Sequence, residues 1–406
     1  MPIEFFLFGG TLVSVALFHK ISLYSAVGGM LTILVYKLAT GFHILRHLQH
    51  EWCILVNLLC LLLGFAILAK HFEESKIPQK LPAILPNDWK GGLVLLILVF
   101  FLSSFLDNIA AAMIGGVVAR TVFKGKVHIG YIAGIVAASN AGGAGSVVGD
   151  TTTTMMWIGG VGPLDVLHGG LGAIVALLVF GAIAARQQHA YQPITKKGAA
   201  GARIDWARVG IVGLVLVFAI GVNTTVNVRF NQYSDLFPFI GVGVWAALLL
   251  AAPVRKPDWK LLPGALKGSC FLLSLVLAAS MMPVERLPAA SWKTTFGLGF
   301  VSAVFDNIPL TKLALDQGGY DWGFLAYAVG FGGSMIWFGS SAGVAISIEF
   351  PEARSAGRWL RHGWHVAVAY VVGFFAILLI LGWHPHESRK KKPAAPAAAT
   401  VPADKR

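Results

Sequence analysis

Charge is scarce in this chain. Of 406 residues only 13% are Asp, Glu, Lys or Arg, against 56% hydrophobic, too few polar side chains to cover the core of a water-soluble domain. An all-α polytopic membrane protein is expected. Acid is scarcest, with 19 Asp and Glu against 32 Lys and Arg, a formal net charge of +13. The basic excess sits in short loops between apolar runs, where it orients helices in a lipid bilayer, so nucleic acid is not expected as a partner. Cysteine is limited to Cys53, Cys60 and Cys270. An odd count, in or beside apolar stretches, implies neither a disulfide framework nor a metal cluster, and these side chains are expected to pack as small apolar residues. No basic segment precedes the first apolar run at Met1-Pro2-Ile3-Glu4, which argues for a retained span over a cleaved signal. No nucleophile, base and orienter stand in plausible register, so the chain is not read as an enzyme and no cofactor is implied.

What is present is said twice. Ser103-Ser104-Phe105-Leu106-Asp107-Asn108-Ile109 recurs as Ser302-Ala303-Val304-Phe305-Asp306-Asn307-Ile308. Each copy sets an Asp-Asn pair between apolar arms, and a carboxylate at membrane depth usually marks an ion or proton site. A glycine-rich stretch follows each copy: Gly142-Gly143 then Gly149-Asp150-Thr151, and Gly332-Gly333 then Gly339-Ser340-Ser341. Paired, glycine-interrupted hydrophobic stretches at matching places point to a secondary transporter built from two repeats.

Apolar runs long enough for a ~30 Å hydrocarbon core predict spans near 3–19, 21–39 and 52–69, followed by a polar loop from Lys70 to Lys90. Residues 91–123 are too polar at their centre for one plain helix. Two half-length arms in a re-entrant hairpin, its tip buried in protein or wetted, read better than one long tilted helix. Residues 127–163 read as one broken span with an unwound middle, and close helix packing alone would leave Asp150 unexplained. A span near 164–185 closes a first repeat over 1–185. A basic cytoplasmic linker, 186–208, leads to a second repeat over 209–383, with spans near 209–222, 236–252 and 264–283, a hairpin at 292–318, a broken helix at 322–348 and a span near 363–383. Five crossings per repeat, an odd number, make the repeats inverted, which alternating access commonly uses. The basic loops Lys70 to Lys90, Arg120 to Lys126, Arg186 to Arg208, Arg255 to Lys267 and Arg354 to Arg361 then share one side, expected to be cytoplasmic. Residues 384–406, a basic Ala/Pro tail, are expected to be disordered, and their Arg389-Lys390-Lys391-Lys392 would fall outside, against the trend of the loops.

The carboxylates expected near the bilayer midplane are Asp107, Asp150 and Asp306. Asn108, Asn307, Asn140, Thr151, Ser334, Ser340 and Ser341 stand around them, and carboxylate, amide, hydroxyl and freed backbone oxygens are what hard cations take. Burial favours the protonated acid and a bound cation the ionised one, so one Asp holds a proton or Na⁺ but not readily both. Competition of that kind is antiport. A single such Asp is equally well a hydrogen-bonded structural group or helix cap; three at repeat-related places favour an ion pathway.

The two Asp-Asn-Ile tips resemble NhaD-type sodium/proton antiporters. So do Asn140-Ala141-Gly142-Gly143 leading to Gly149-Asp150-Thr151-Thr152-Thr153 and Gly330-Phe331-Gly332-Gly333-Ser334 leading to Gly339-Ser340-Ser341-Ala342-Gly343. That family belongs to the ion-transporter superfamily with arsenite pumps and citrate and dicarboxylate carriers, and the resemblance covers most of residues 50–383. It implies an inner-membrane, multi-pass Na⁺(Li⁺)/H⁺ antiporter whose partners are monovalent cations, protons and lipid, and by analogy a homodimer. It further implies one Na⁺ site from Asp107, Asn108, Asp150 and Thr151, and a pseudo-symmetric one from Asp306, Asn307, Ser340 and Ser341. In the carboxylate carriers the tips usually read Ser-Asn-Thr; Asp at both Ser positions favours a cation-only substrate. A Na⁺- or H⁺-coupled carrier of citrate, a dicarboxylate or arsenite remains the alternative, and a non-transporting membrane scaffold a further one.

Lys312, opposite Met113 in the other repeat, is expected to snorkel to the surface or else to pair with Asp306 and disable one site. His43, His47 and His50 share one helical face beside Glu51 and are read as an interfacial, solvated stretch rather than a metal site. His128 and His168, near span ends, are expected at the interface without a role. The first half also looks short at its N-terminus beside larger relatives.

Overall fold

The computed structural model describes residues 2–386 except 19–20, 78–79, 81–84, 107, 147–148, 195–202, 231–232, 234–235 and 306. Every regular element among the described residues is helical, the form in which a segment satisfies its own backbone in lipid. The first half comprises α1 (Ile3–Leu17), α2 (Ser22–Ala39), α3 (Ile44–Glu74), α4 (Trp89–Ser103), α5 (Asn108–Val122), α6 (Ile129–Ala144), α7 (Thr151–Ile158), α8 (Pro163–Leu167) and α9 (Gly169–Tyr191). The second comprises α10 (Trp206–Arg229), α11 (Phe239–Ala251), α12 (Leu262–Ser280), α13 (Trp292–Ser302), α14 (Asn307–Gln317), α15 (Trp322–Gly332), α16 (Ser341–Glu349) and α17 (Ala356–Leu381). By length and composition α2, α3, α8 with α9, α12 with the turn before it, and α17 can cross a membrane; the chain is a multi-pass membrane protein.

Polar caps fix many of the starts. Asp88 accepts from Lys90 N at 3.0 Å and Asp321 from Phe324 N at 3.3 Å, and Ser291 opens a capping box on α13, each satisfying first-turn N–H groups that have no partner within the helix. Gly382, at φ 76°, ends α17 in the left-handed region that glycine enters without strain. Helices α4 and α5, at 15 residues each, reach roughly 22 Å at 1.5 Å per residue, short of a ~30 Å core.

The boundaries differ from expectation in three places. Helix α3 starts at Ile44 rather than 52 and runs to Glu74, α10 extends to Arg229 rather than ending near 222, and residues 384–386 are tied down. His384 N donates to Asp321 Oδ2 at 2.8 Å and His386 N to the Tyr320 carbonyl at 3.0 Å. The rest of the expected tail, 387–406, lies outside the described residues.

Packing sorts the helices into two groups. In one, α1 and α2 pair and lean on α12, while α10 and α11 pair and lean on α3, with α3 against α12. In the other, α6 and α15 lie at the centre, α4 packs on α6 and α13 on α15, and α9 packs on α17. The second arms exchange neighbours, α5 against α16 and α14 against α7. The groups meet mainly where α12 lies along α14, with lighter contact from α3 to α5 and α7. An apolar cluster of Leu58, Met155, Leu272, Val276 and Ile308 lines that seam.

Helices α6 and α15 are buried almost throughout. Small residues permit this, as in membrane bundles generally: a β-carbon at Gly142 would strike the Phe100 carbonyl, and one at Gly332 the backbone of Gly299. Tyr327 stacks on Phe331 (centroids 5.5 Å) and on Tyr370 of α17 (5.8 Å), which stiffens the centre.

Candidate functional site

The site forms where α6 and α15 stop short of the half-helices that follow them. Helix α6 ends at Ala144 and α7 begins at Thr151 behind the N-cap Asp150; α15 ends at Gly332 and α16 begins at Ser341 behind the N-cap Ser340. The polar groups released by these breaks bond to one another. Asn108, first residue of α5, donates from Nδ2 to Asn140 Oδ1 at 3.0 Å and to Asp150 Oδ1 at 3.1 Å. Asn140, on α6, donates in turn to Ser334 Oγ at 2.9 Å and Ser340 Oγ at 3.0 Å. Asn108, Asn140, Asp150, Ser334 and Ser340 are all buried. Asp150 sits over the second half as well, since a β-carbon at Gly330 would lie 3.3 Å from its Oδ2.

The first tip is tied to its broken helix by serines. Ser103 Oγ bonds to the Ser139 carbonyl, Ser104 Oγ donates to the Gly142 carbonyl at 3.0 Å, and Ser146 Oγ to the Ser104 carbonyl at 2.6 Å. In the second half Ser302 Oγ donates to the Val329 carbonyl at 2.6 Å, the counterpart of the Ser103 bond. Thr153 Oγ1 donates to the Ser146 carbonyl at 2.5 Å, closing the unwound stretch.

Five of the sequence-derived candidates thus meet in one network. The others stand as follows. Asn307 is buried at the start of α14, where its carbonyl accepts from Thr311 Oγ1 at 2.9 Å, and its Nδ2 has no hydrogen-bond partner among the described residues. Thr151 and Ser341 are the half-buried first residues of α7 and α16. Asp107 and Asp306 lie outside the described residues. Thr152, fully buried on α7, likewise has an Oγ1 without a partner among the described residues. Carboxylate, amide and hydroxyl oxygens with free helix ends suit a hard, weakly held cation, and no group of three His, Cys, Asp or Glu among the described residues could hold a metal ion.

Lys312 corrects its expectation. It does not snorkel: it is 4% exposed, and its Nζ lies 2.8 Å from Glu51 Oε2 and 3.0 Å from Asp316 Oδ1. Glu51 is 2% exposed, not interfacial, so Asp150 is not the only buried carboxylate among the described residues. The sequence carried a signal, because Glu51 continues the stripe Leu55, Leu58 and Leu62 at helical spacing, and those leucines line the seam. His43 and His50 are exposed as expected, but His47 is half-buried, with Nε2 2.9 Å from Ser280 Oγ. His168 also has a partner, since its Nε2 lies 2.5 Å from Oδ1 of the buried Asp321.

These features define an all-helical multi-pass membrane protein with a buried polar centre between two interrupted helices. No family model matches the chain. It is 30% identical over 294 residues to sodium/proton antiporter 1 of Arabidopsis thaliana, covering 63% of this chain and 49% of that protein. It is 27% identical over 289 residues to sodium/proton antiporter 2 of the same plant, covering 60% and 66%. With the Na⁺/H⁺ antiporter NhaD of Halomonas elongata it shares 25% identity over 389 residues, 80% of this chain and 75% of that one. The chain therefore spans 49% and 66% of the length of the two plant relatives. The relatives it matches are named as sodium/proton antiporters.

Proposed function

We propose that the chain is a secondary active Na⁺(Li⁺)/H⁺ antiporter of the plasma membrane, working by alternating access. In this reading residues 1–185 and 209–383 are two inverted repeats joined by the linker 186–208, α4 with α5 and α13 with α14 are re-entrant hairpins, and the polar centre is the exchange site. Asp150, with Asp107 and Asp306 at the tips, alternately holds a proton and a cation. Asn108, Asn140, Thr151, Asn307, Ser334, Ser340 and Ser341 supply neutral oxygens or position them. Na⁺ or Li⁺ and H⁺ are cargo, no cofactor is required, and a homodimer is the assembly suggested by analogy.

The observation that carries this reading is the bond from Asn140 Nδ2 to Ser334 and Ser340, beside Asp150 and Asn108. It joins the breaks of both halves around a buried carboxylate, where a desolvated cation needs oxygen and a protonated acid needs none. Matching exchanges of neighbours, α5 with α16 and α14 with α7, support the repeat. The names of the relatives support the cation. The ammonium of Lys312, a charge that an anionic substrate could use, is instead engaged by Glu51 and Asp316.

The test is dequenching of a ΔpH-sensitive dye in inverted vesicles, with NaCl, LiCl, KCl, citrate and arsenite added in turn. Na⁺ or Li⁺ alone should collapse the gradient, and Asp107→Asn, Asp150→Asn and Asp306→Asn should abolish the response. A response only to citrate or arsenite overturns the cation assignment, and full activity in all three Asn variants overturns the site.

A further inference from the structure

The Glu51–Lys312–Asp316 cluster has no place in the exchange site. Its members are 2%, 4% and 7% exposed at the side chain, and they bridge the two packing groups. Glu51 is on α3, in the group of α1 to α3 and α10 to α12; Lys312 and Asp316 are on α14, in the group around α6 and α15. The seam between them is otherwise lined by Leu58, Met155, Leu272, Val276 and Ile308, an apolar surface that fixes no single register because one apolar contact is readily exchanged for another. An ion pair does fix register, since its charges meet in one arrangement only.

We propose that Lys312 is a positioning residue whose ion pair with Glu51 is a clasp across this seam, closed in the conformation described here and opened and re-formed in each transport cycle. Three observations carry it. The clasp joins elements that touch chiefly along α12 and α14 and only lightly between α3 and its neighbours α5 and α7, so relative sliding breaks little else. Asp316, one turn along α14 from Lys312, travels with it, so the ammonium keeps a carboxylate at 3.0 Å when Glu51 withdraws and is never left buried without a counter-charge. Helix α14 starts at Asn307, immediately after the second tip, so holding α14 also holds that tip.

The inference rests on the antiporter reading for its assay, and the untreated control separates the two: wild-type vesicles that exchange no cation fail that reading before the clasp is tested. In a background with Cys53, Cys60 and Cys270 replaced by Ala, Glu51→Cys with Lys312→Cys is bridged by a short bis-methanethiosulfonate that reductant removes. Na⁺/H⁺ exchange should fall at least tenfold on complete cross-linking and return on reduction; an unchanged rate in fully cross-linked protein overturns the clasp. Should the Cys pair be inactive before treatment, Lys312→Arg decides. It keeps the charge and grips a carboxylate by two bonds, so it should lower the maximal rate several-fold with KM for Na⁺ and melting temperature not reduced. A wild-type maximal rate in Lys312→Arg then overturns the proposal.

Discussion

Asn140 offers the sharpest test of the polar centre. Its side chain makes three bonds inside the protein: it receives one from Asn108 at 3.0 Å and gives two to Ser334 and Ser340 at 2.9 and 3.0 Å. Asn140→Leu keeps the branched shape of the side chain and removes all three. Side-chain hydrogen bonds within membrane proteins contribute on average about 0.6 kcal/mol each, and stranding a buried partner raises that toward ~1.5 kcal/mol, so the loss should be about 2–4 kcal/mol. Not every partner is stranded, because Asn108 keeps Asp150 at 3.1 Å and Ser340 keeps its cap on Gly343 N at 3.3 Å; Ser334 Oγ is the most affected. Asn140→Asp separates bonding from charge. Its carboxylate still accepts from Asn108 and from both serine hydroxyls, but adds a negative charge beside Asp150. Asn140→Asp should therefore melt nearer the wild type than Asn140→Leu in detergent, while both lose the normal Na⁺ response in the vesicle assay. If Asn140→Leu melts with the wild type, or the two variants lose equal stability, the network does not join the halves and the reasoning fails.

Other outcomes follow from the same geometry. Lys312→Met leaves two buried carboxylates facing each other and should cost about 3–5 kcal/mol, whereas removing all three charges (Glu51→Gln, Lys312→Met, Asp316→Asn) should cost less, a comparison that thermal melting makes directly. Gly330→Ala brings a β-carbon to 3.3 Å from Asp150 Oδ2, turning the carboxylate without disturbing the fold; the half-saturating Na⁺ concentration should rise several-fold, and an unchanged value refutes the placement of Asp150. In the linker, a hydrogen bond from the Arg255 guanidinium to Asp205 at 2.8 Å, aided by N–H bonds from Arg208 and Ala207, holds the Asp205 carboxyl below its ordinary value of 3.8. A depressed folded value means stability that is present above about pH 4 and lost as pH falls through the folded value. The melting difference between wild type and Asp205→Asn should accordingly be present at pH 7 and shrink as pH falls through the folded value, and a difference that grows on acidification contradicts the sign.

The polar centre was legible because it depends on local sequence. Clustered glycines beside Asp or Ser weaken an apolar helix, so the breaks after Ala144 and Gly332 and the half-helices behind Asp150 and Ser340 could be read from residue type. The pairing of distant charges could not. Lys312 and Glu51 are 261 residues apart, and alone each looks like a snorkelling or interfacial residue; only the stripe Leu55, Leu58, Leu62 hinted that Glu51 faces inward. The same holds for His168 and Asp321, 153 residues apart. There is a physical reason why the local signals converge on one place. An unwound helix in lipid leaves polar groups that its own half cannot satisfy, and here each break is completed by the other: Asn140 needs Ser334 and Ser340, and Asp150 needs the bare face of Gly330. A half on its own would expose these groups to hydrocarbon, so the centre is built only when both halves are in place, and under the proposed function any motion that exchanges a cation keeps α6 and α15 together. The proposed sliding then falls to the apolar seam beyond them, where Lys312 stands.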